Sequence, residues 1–200
     1  MISGSGKTVP EDTGTYPKSA LVTTDTEIES QSMVDYLCSC GHKRIAFITS
    51  GDEGLGRCHL NGYKRSLEKN GLEYDEKLII RLKPGKRIYT IENGYNCTCE
   101  LLKSGVDFSC IYAISDTLAV GACRAIIDSG KRVPEDYCVA GADGQDIAEY
   151  YHPSITTLKY PRVETALQSV RTLFDLIDRK KVVKQQILSR TLIERDSTSK

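Results

Sequence analysis

The sequence predicts an α/β protein with a parallel sheet and helices on both faces. Three observations carry this. Short apolar runs alternate with segments of about 10 to 15 residues that have helical spacing, the pattern of βαβ units. The apolar runs are continuous rather than alternating, as in strands covered on both sides. A glycine follows most helical segments, at positions 41, 71, 105 and 130, where helix ends favour it.

Residues 19–24 read as a first short strand. Residues 27–40 follow with Ile28, Met33, Val34 and Leu37 at helical spacing, and Gly41 stops the helix. Residues 44–49 are an apolar strand. A turn rich in glycine leads to a helix over about 58–69. Residues 77–82 form a strand, 91–103 a helix and 108–114 a strand. A helix over 117–129 precedes the strand 137–142. Residues 155–160 are extended. Pro161 opens a long helix to about residue 179, at the turn where proline is tolerated. Residues 187–193 read as a last single strand, and 197–200 as a frayed tail.

Residues 1–16 read as a flexible leader. They contain Gly4-Ser5-Gly6-Lys7-Thr8, the end of a phosphate-binding loop. A working loop of that kind needs an earlier glycine, a strand before it and a helix after it. No strand precedes Gly4, and Pro10 prevents a helix from completing its first turn. Nucleotide binding is therefore not expected.

Two hundred residues, 40% of them hydrophobic, can bury one core or two small ones. Lysine plus arginine equals aspartate plus glutamate at 27 each, so there is no basic footprint for nucleic acid. No apolar run approaches the roughly 20 residues of a membrane span, and no secretory signal opens the chain. A cytoplasmic protein is expected. The eight cysteines then read as reduced thiols. Cys38-Ser39-Cys40 and Cys97-Thr98-Cys99 lack the spacing of zinc ribbons. Neither a metal nor a cofactor is expected.

In an open parallel sheet, ligands bind beyond the carboxyl ends of the strands. That rule singles out Arg57 and His59 after the strand 44–49, Asp116 after 108–114, and Asp143 after 137–142. Tyr89 and Tyr160 follow two further extended segments. Carboxylates accept paired hydroxyl hydrogen bonds, cations donate to oxygens, and aromatic faces pack the C–H side of a sugar. The set suits a neutral polyhydroxylated ligand. Asp116 could instead cap the helix it opens, and Asp143 could form a turn. No nucleophile elbow or paired metal-ligand spacing suggests an enzyme.

Several segments together resemble the lactose/galactose repressor family. They are Gly41-His42-Lys43-Arg44-Ile45-Ala46-Phe47-Ile48, Gly62-Tyr63-Lys64-Arg65, Ser115-Asp116-Thr117-Leu118-Ala119, Val133-Pro134-Glu135-Asp136, Val139-Ala140-Gly141-Ala142-Asp143 and Ile155-Thr156-Thr157. The resemblance implies a periplasmic-binding-protein-like effector domain of two α/β lobes joined by three crossovers. By it, residues 17–40 and 161–181 form a partial first lobe. Residues 41–155 and 184–196 form an essentially complete second lobe. The family's helix-turn-helix reader finds no counterpart, so no DNA contact is expected from this chain alone.

The resemblance further implies a homodimer and a small sugar-like effector, with Asp116 as its central carboxylate. Asp143 matches a second acidic position. His59 stands where arginine is common, with Arg57 as a possible substitute, and Tyr160 stands where glutamine is frequent. The alternative reading is a solute-binding protein of a sugar transport system.

Overall fold

The computed structural model describes residues 19–83, 85 and 87–199. The leader 1–16 lies outside them. In chain order the elements are β1 (Leu21–Thr24), α1 (Thr26–Ser39), β2 (Ile45–Thr49), α2 (Gly54–Lys69), β3 (Ile79–Arg81), α3 (Ile91–Lys103) and β4 (Cys110–Ala113). Then come α4 (Asp116–Asp128), β5 (Cys138–Ala140), α5 (Asp146–Tyr150), β6 (Thr157–Lys159), α6 (Arg162–Ile177), β7 (Gln185–Leu188) and β8 (Thr191–Ile193).

The main sheet has the order β3-β2-β4-β5, and all its pairs are parallel. Every residue of β2, β4 and β5 is buried, which is why these strands are apolar but for Thr49 at the end of β2. Right-handed crossovers put α2 on one face and α3 and α4 on the other, because the chain first steps outward to β3 and then returns past β2. The helices pack as two pairs, α1 with α2 and α3 with α4. Phe47 lies between Tyr63 and Tyr112, with ring centroids at 5.0 and 5.1 Å and both pairs stacked. The Tyr63 hydroxyl donates to the Ile45 carbonyl at 2.8 Å, so burying this tyrosine strands no polar group.

A smaller unit holds β1 and β7, paired in parallel, with α6 against β1. Val163, Leu167, Val170, Phe174 and Ile177 form an exposed apolar stripe along α6. A third pairing, β6 with β8, is antiparallel and lies beside β5 through a bridge between Ala140 and Thr156.

Three expectations about organisation change. Helix α1 belongs with the main body and not with the first lobe, because Met33, Val34 and Leu37 are fully buried in the core around β2 and β4. Residues 187–193 are two strands. β7 pairs with β1 in the small unit and β8 pairs with β6, so the range 184–196 is divided at Ser189 and Arg190.

The tail is not frayed at its start. Ser197 Oγ donates to the Val139 carbonyl at 2.6 Å and accepts from the Thr156 amide at 2.9 Å. Thr198 Oγ1 lies 2.9 Å from Tyr36 Oη and 2.6 Å from Thr156 Oγ1. At about 1 kcal/mol per bond, less relaxation, deleting residues 197–200 should cost about 2 kcal/mol and lower Tm by roughly 4–8 °C. An unchanged melting curve would return these residues to a loose fringe.

Candidate ligand-binding site

The chain path reverses between β2 and β4. The connection from β2 leads outward to β3, whereas β4 leads the other way to β5. Such a switch point opens a crevice at the carboxyl ends of the strands. A cleft of about 150 Å³ lies there. Ile114 and Ser115 reach it from the end of β4, and Leu55 and His59 from α2. Asp143 follows β5, Thr24 and Thr26 flank the end of β1, and Tyr89, Tyr160 and Arg190 complete the wall.

Of the six residues expected from the sequence, four meet in this cleft: His59, Tyr89, Asp143 and Tyr160. Asp143 takes a positive φ of 104°, a strained conformation for a residue with a side chain, though aspartate is among those that tolerate it best. Its backbone is pinned on both sides. The amide donates to the Leu158 carbonyl at 3.0 Å, and the carbonyl accepts from the Tyr160 amide at 3.2 Å. Burial raises the Asp143 carboxyl, with Arg190 pulling the other way.

The ring of His59 is held near neutrality of charge by burial first and then by Arg190, with its pKa pushed down to about 3. Its Nδ1 is buried without a hydrogen-bond partner. The carbonyl of the same residue accepts from Ser30 Oγ at 2.8 Å, which fixes α2 against α1. Tyr89 is half-exposed, and its carbonyl accepts from Thr117 Oγ1 at 3.1 Å.

Two expected residues stand elsewhere. Arg57 is exposed, and its Nε donates to the Asp52 carbonyl at 2.9 Å, so it does not substitute for a cation at position 59. Asp116 is wholly buried beneath the cleft. One of its oxygens accepts from Thr157 Oγ1 at 2.6 Å and the other from the Gln145 amide at 2.6 Å. Burial raises its pKa to about 6, although both hydrogen bonds oppose the rise. Nor is Asp116 the helix cap. Ser115 caps α4, accepting from the Leu118 amide at 3.3 Å, and Ser115 rather than Asp116 faces the cleft. Asp116 supports the site from below: it ties the loop after Asp143 to β6.

The cation in the wall was not anticipated. Arg190 Nη1 lies 3.2 Å from Asp143 Oδ1, and its Nε lies 2.9 Å from Glu29 Oε2. Its guanidinium carbon sits 5.2 Å from the centre of the Tyr160 ring. The signal in the sequence was a charge in the middle of the apolar run 187–193. Glu29 carried a similar signal, one helical turn before Met33 on the buried face of α1. Burial raises the Glu29 carboxyl, against the pull of Arg190.

The cleft thus offers one carboxylate poised for hydroxyl groups, a serine hydroxyl, a guanidinium and two aromatic faces. Beside the neutral His59, one cation, Arg190, faces two carboxylates, Glu29 and Asp143, both of which burial makes weaker acids. Among the described residues no cluster of potential metal ligands occurs.

A family profile, described as a periplasmic binding protein-like domain, matches residues 34–198. The transcriptional regulator MalR of Clostridium butyricum is 42% identical over 73% of this chain and 42% of its own length. The crystal structure of the Escherichia coli repressor AscG superposes with a TM-score of 0.80 at 32% identity, covering 88% of this chain and 63% of that one. A LacI-family regulator from Enterococcus faecium, crystallised with bound ribose, gives 0.82 at 28% identity, covering 99% and 70%. The chain spans less than half the length of MalR. The relatives reported are regulators rather than transport proteins, so the transport reading is not favoured. On the segments quoted above, the profile match and these likenesses, the chain belongs to the lactose/galactose repressor family, through its periplasmic binding protein-like domain.

Proposed function

We propose that the chain is the effector-binding part of a transcriptional regulator, and that its effector is a small neutral sugar or a related polyol. The observation that carries this is the convergence of Asp143, Ser115, Tyr89, Tyr160 and Arg190 at the switch point of the sheet. The carboxylate accepts from one hydroxyl while the guanidinium beside it donates to the neighbouring one, which is how a vicinal diol is held. The ribose bound to the Enterococcus faecium regulator belongs to the same chemical class.

Binding rather than turnover fits the groups present. Ser115 Oγ is engaged with the Leu118 amide and Thr117 Oγ1, so it is not an activated nucleophile. The protein acts without a cofactor, as a homodimer, and reads DNA only through a segment outside this chain. Among the described residues no helix is long and apolar enough to cross a membrane.

Calorimetric titration against a panel of pentoses, hexoses, disaccharides and nucleosides tests the reading. Asp143→Asn should weaken the best binder about tenfold or more, because a charge-assisted acceptor is worth about 1.5–3 kcal/mol. A panel with no binder, or equal affinity in Asp143→Asn, would refute it.

A further inference from the structure

Three chain segments join the small unit of β1, α6 and β7 to the main body. The first runs from β1 into α1 at Asp25, the second from β6 into α6 at Tyr160 and Pro161, and the third from β7 into β8 at Ser189 and Arg190. Arg190 sits on the third and touches groups beside the other two. Its Nε lies 2.9 Å from Glu29, in α1 just after the first segment. Its Nη1 lies 3.2 Å from Asp143, and its guanidinium carbon is 5.2 Å from the centre of the Tyr160 ring, both beside the second segment. Its side chain is only 13% exposed and that of Glu29 7%.

We propose that Arg190 is a latch across the three crossovers, which holds the small unit in register with the main body and holds the Asp143 carboxylate facing the cleft. A guanidinium is suited to this role. Its planar fork reaches two carboxylates and a ring face at once, where an ammonium offers one compact charge. Geometry also shows why the latch is adjustable. Glu29 Oε2 and Arg190 Nε are 2.9 Å apart but off the line of a strict hydrogen bond, and Thr24 also approaches the Glu29 carboxyl. The Glu29 contact is therefore held largely by charge, which tolerates small rotations of the arginine. Asp143 shares its Oδ1 with Arg190, while Oδ2 meets Gln145 Nε2 at a long 3.3 Å. An occupant that hydrogen-bonds Asp143 acts on the same carboxylate that anchors the latch. The inference goes beyond the effector reading, and its test needs no sugar, so the failure of either leaves the other standing.

The experiment is amide hydrogen exchange on the full chain without ligand. It compares the wild type with Arg190→Met, Arg190→Lys and Glu29→Gln. Methionine keeps the length and the packing of the stem but not the charge. The expected result is exchange about tenfold faster or more for the amides of β1 and β7 in Arg190→Met. Arg190→Lys should be intermediate, because it keeps one ion pair. The amides of β2 and β4 should stay within twofold in all variants. Glu29→Gln should accelerate β1 and β7, and add little when combined with Arg190→Met, since both remove the same contact. Unchanged exchange in Arg190→Met would overturn the latch and leave a packing role. Equal acceleration of β1, β7, β2 and β4 would also overturn it, showing that Arg190 supports the core as a whole. Should Arg190→Met not fold, Arg190→Lys carries the test alone: local acceleration of β1 and β7 supports the latch, and wild-type exchange refutes it.

Discussion

Asp116→Asn should lower stability by about 1 kcal/mol at pH 7, and by about 2 kcal/mol or more at pH 5. Asparagine keeps one oxygen for the Thr157 hydroxyl but turns an amide donor toward the Gln145 amide, which now meets the carboxylate at 2.6 Å. A buried donor is left facing a donor, at about 1–3 kcal/mol, and a charge-assisted bond is lost. Against this stands the relief of a buried carboxylate. The pKa, raised from 3.8 to about 6 chiefly by burial, makes that relief roughly 3 kcal/mol at pH 7, which offsets much of the loss.

The sign of the pH dependence follows from that rise. Between pH 3.8 and 6 the folded state holds a proton that the unfolded state has released, so wild-type stability increases as pH falls through this window. From pH 7 to pH 5 this contributes about 1.4 kcal/mol, and the variant lacks it. Urea melts of both proteins at the two pH values give the comparison. The groups they share cancel to first order, so the gap between them should widen toward pH 5. A gap that stays constant or narrows would show that Asp116 is not held protonated by the fold. A variant of normal stability that loses only sugar affinity would put Asp116 back in the cleft as a ligand group.

The order of strands and helices was legible because each element has a strong local signature. β2 and β4 are unbroken apolar runs, and glycines stand just past the ends of α1, α2, α3 and α4. The site was legible only in outline. Strand ends locate the crevice, and they located Asp143 and His59. They cannot say which of two neighbouring residues faces it. Ser115 and Asp116 are adjacent at the end of β4, and the first turn of α4 sends the serine to the cleft and the aspartate inward. Arg190 was illegible for a different reason. Its importance depends on contacts with Glu29 and Asp143, 161 and 47 positions earlier in the chain, and local pattern holds no record of such pairings. The tail was misread because composition alone, Ser197-Thr198-Ser199, looks like a solvated end. Its hydroxyls are in fact the partners that let Thr156 and Val139 be buried.

Gly121→Ala should destabilise the protein by about 3 kcal/mol, although alanine is the better helix former. The preference for alanine within a helix is worth about 1 kcal/mol in the opposite direction. Packing decides the outcome. A Cβ on Gly121 would stand 2.1 Å from the Ile91 carbonyl oxygen and 2.7 Å from the Tyr95 nitrogen. These are backbone atoms of α3, so no side chain can turn aside. The contact is reciprocal, since a Cβ on Gly94 would stand 2.2 Å from the Leu118 oxygen of α4. The two helices approach backbone to backbone at this crossing through Gly94 and Gly121, so the partner of Gly121 is α3 and not the sheet, whereas Ala119 lies against Gly141, just past β5. Accommodating one methyl group means moving α3 by about 1 Å or more, at the upper end of overpacking costs. Tm should fall by roughly 6–12 °C for a chain of this size. Calorimetric melting of Gly121→Ala beside the wild type measures it. An unchanged or higher Tm would mean that α3 gives way cheaply and that the close crossing is not a constraint on the fold.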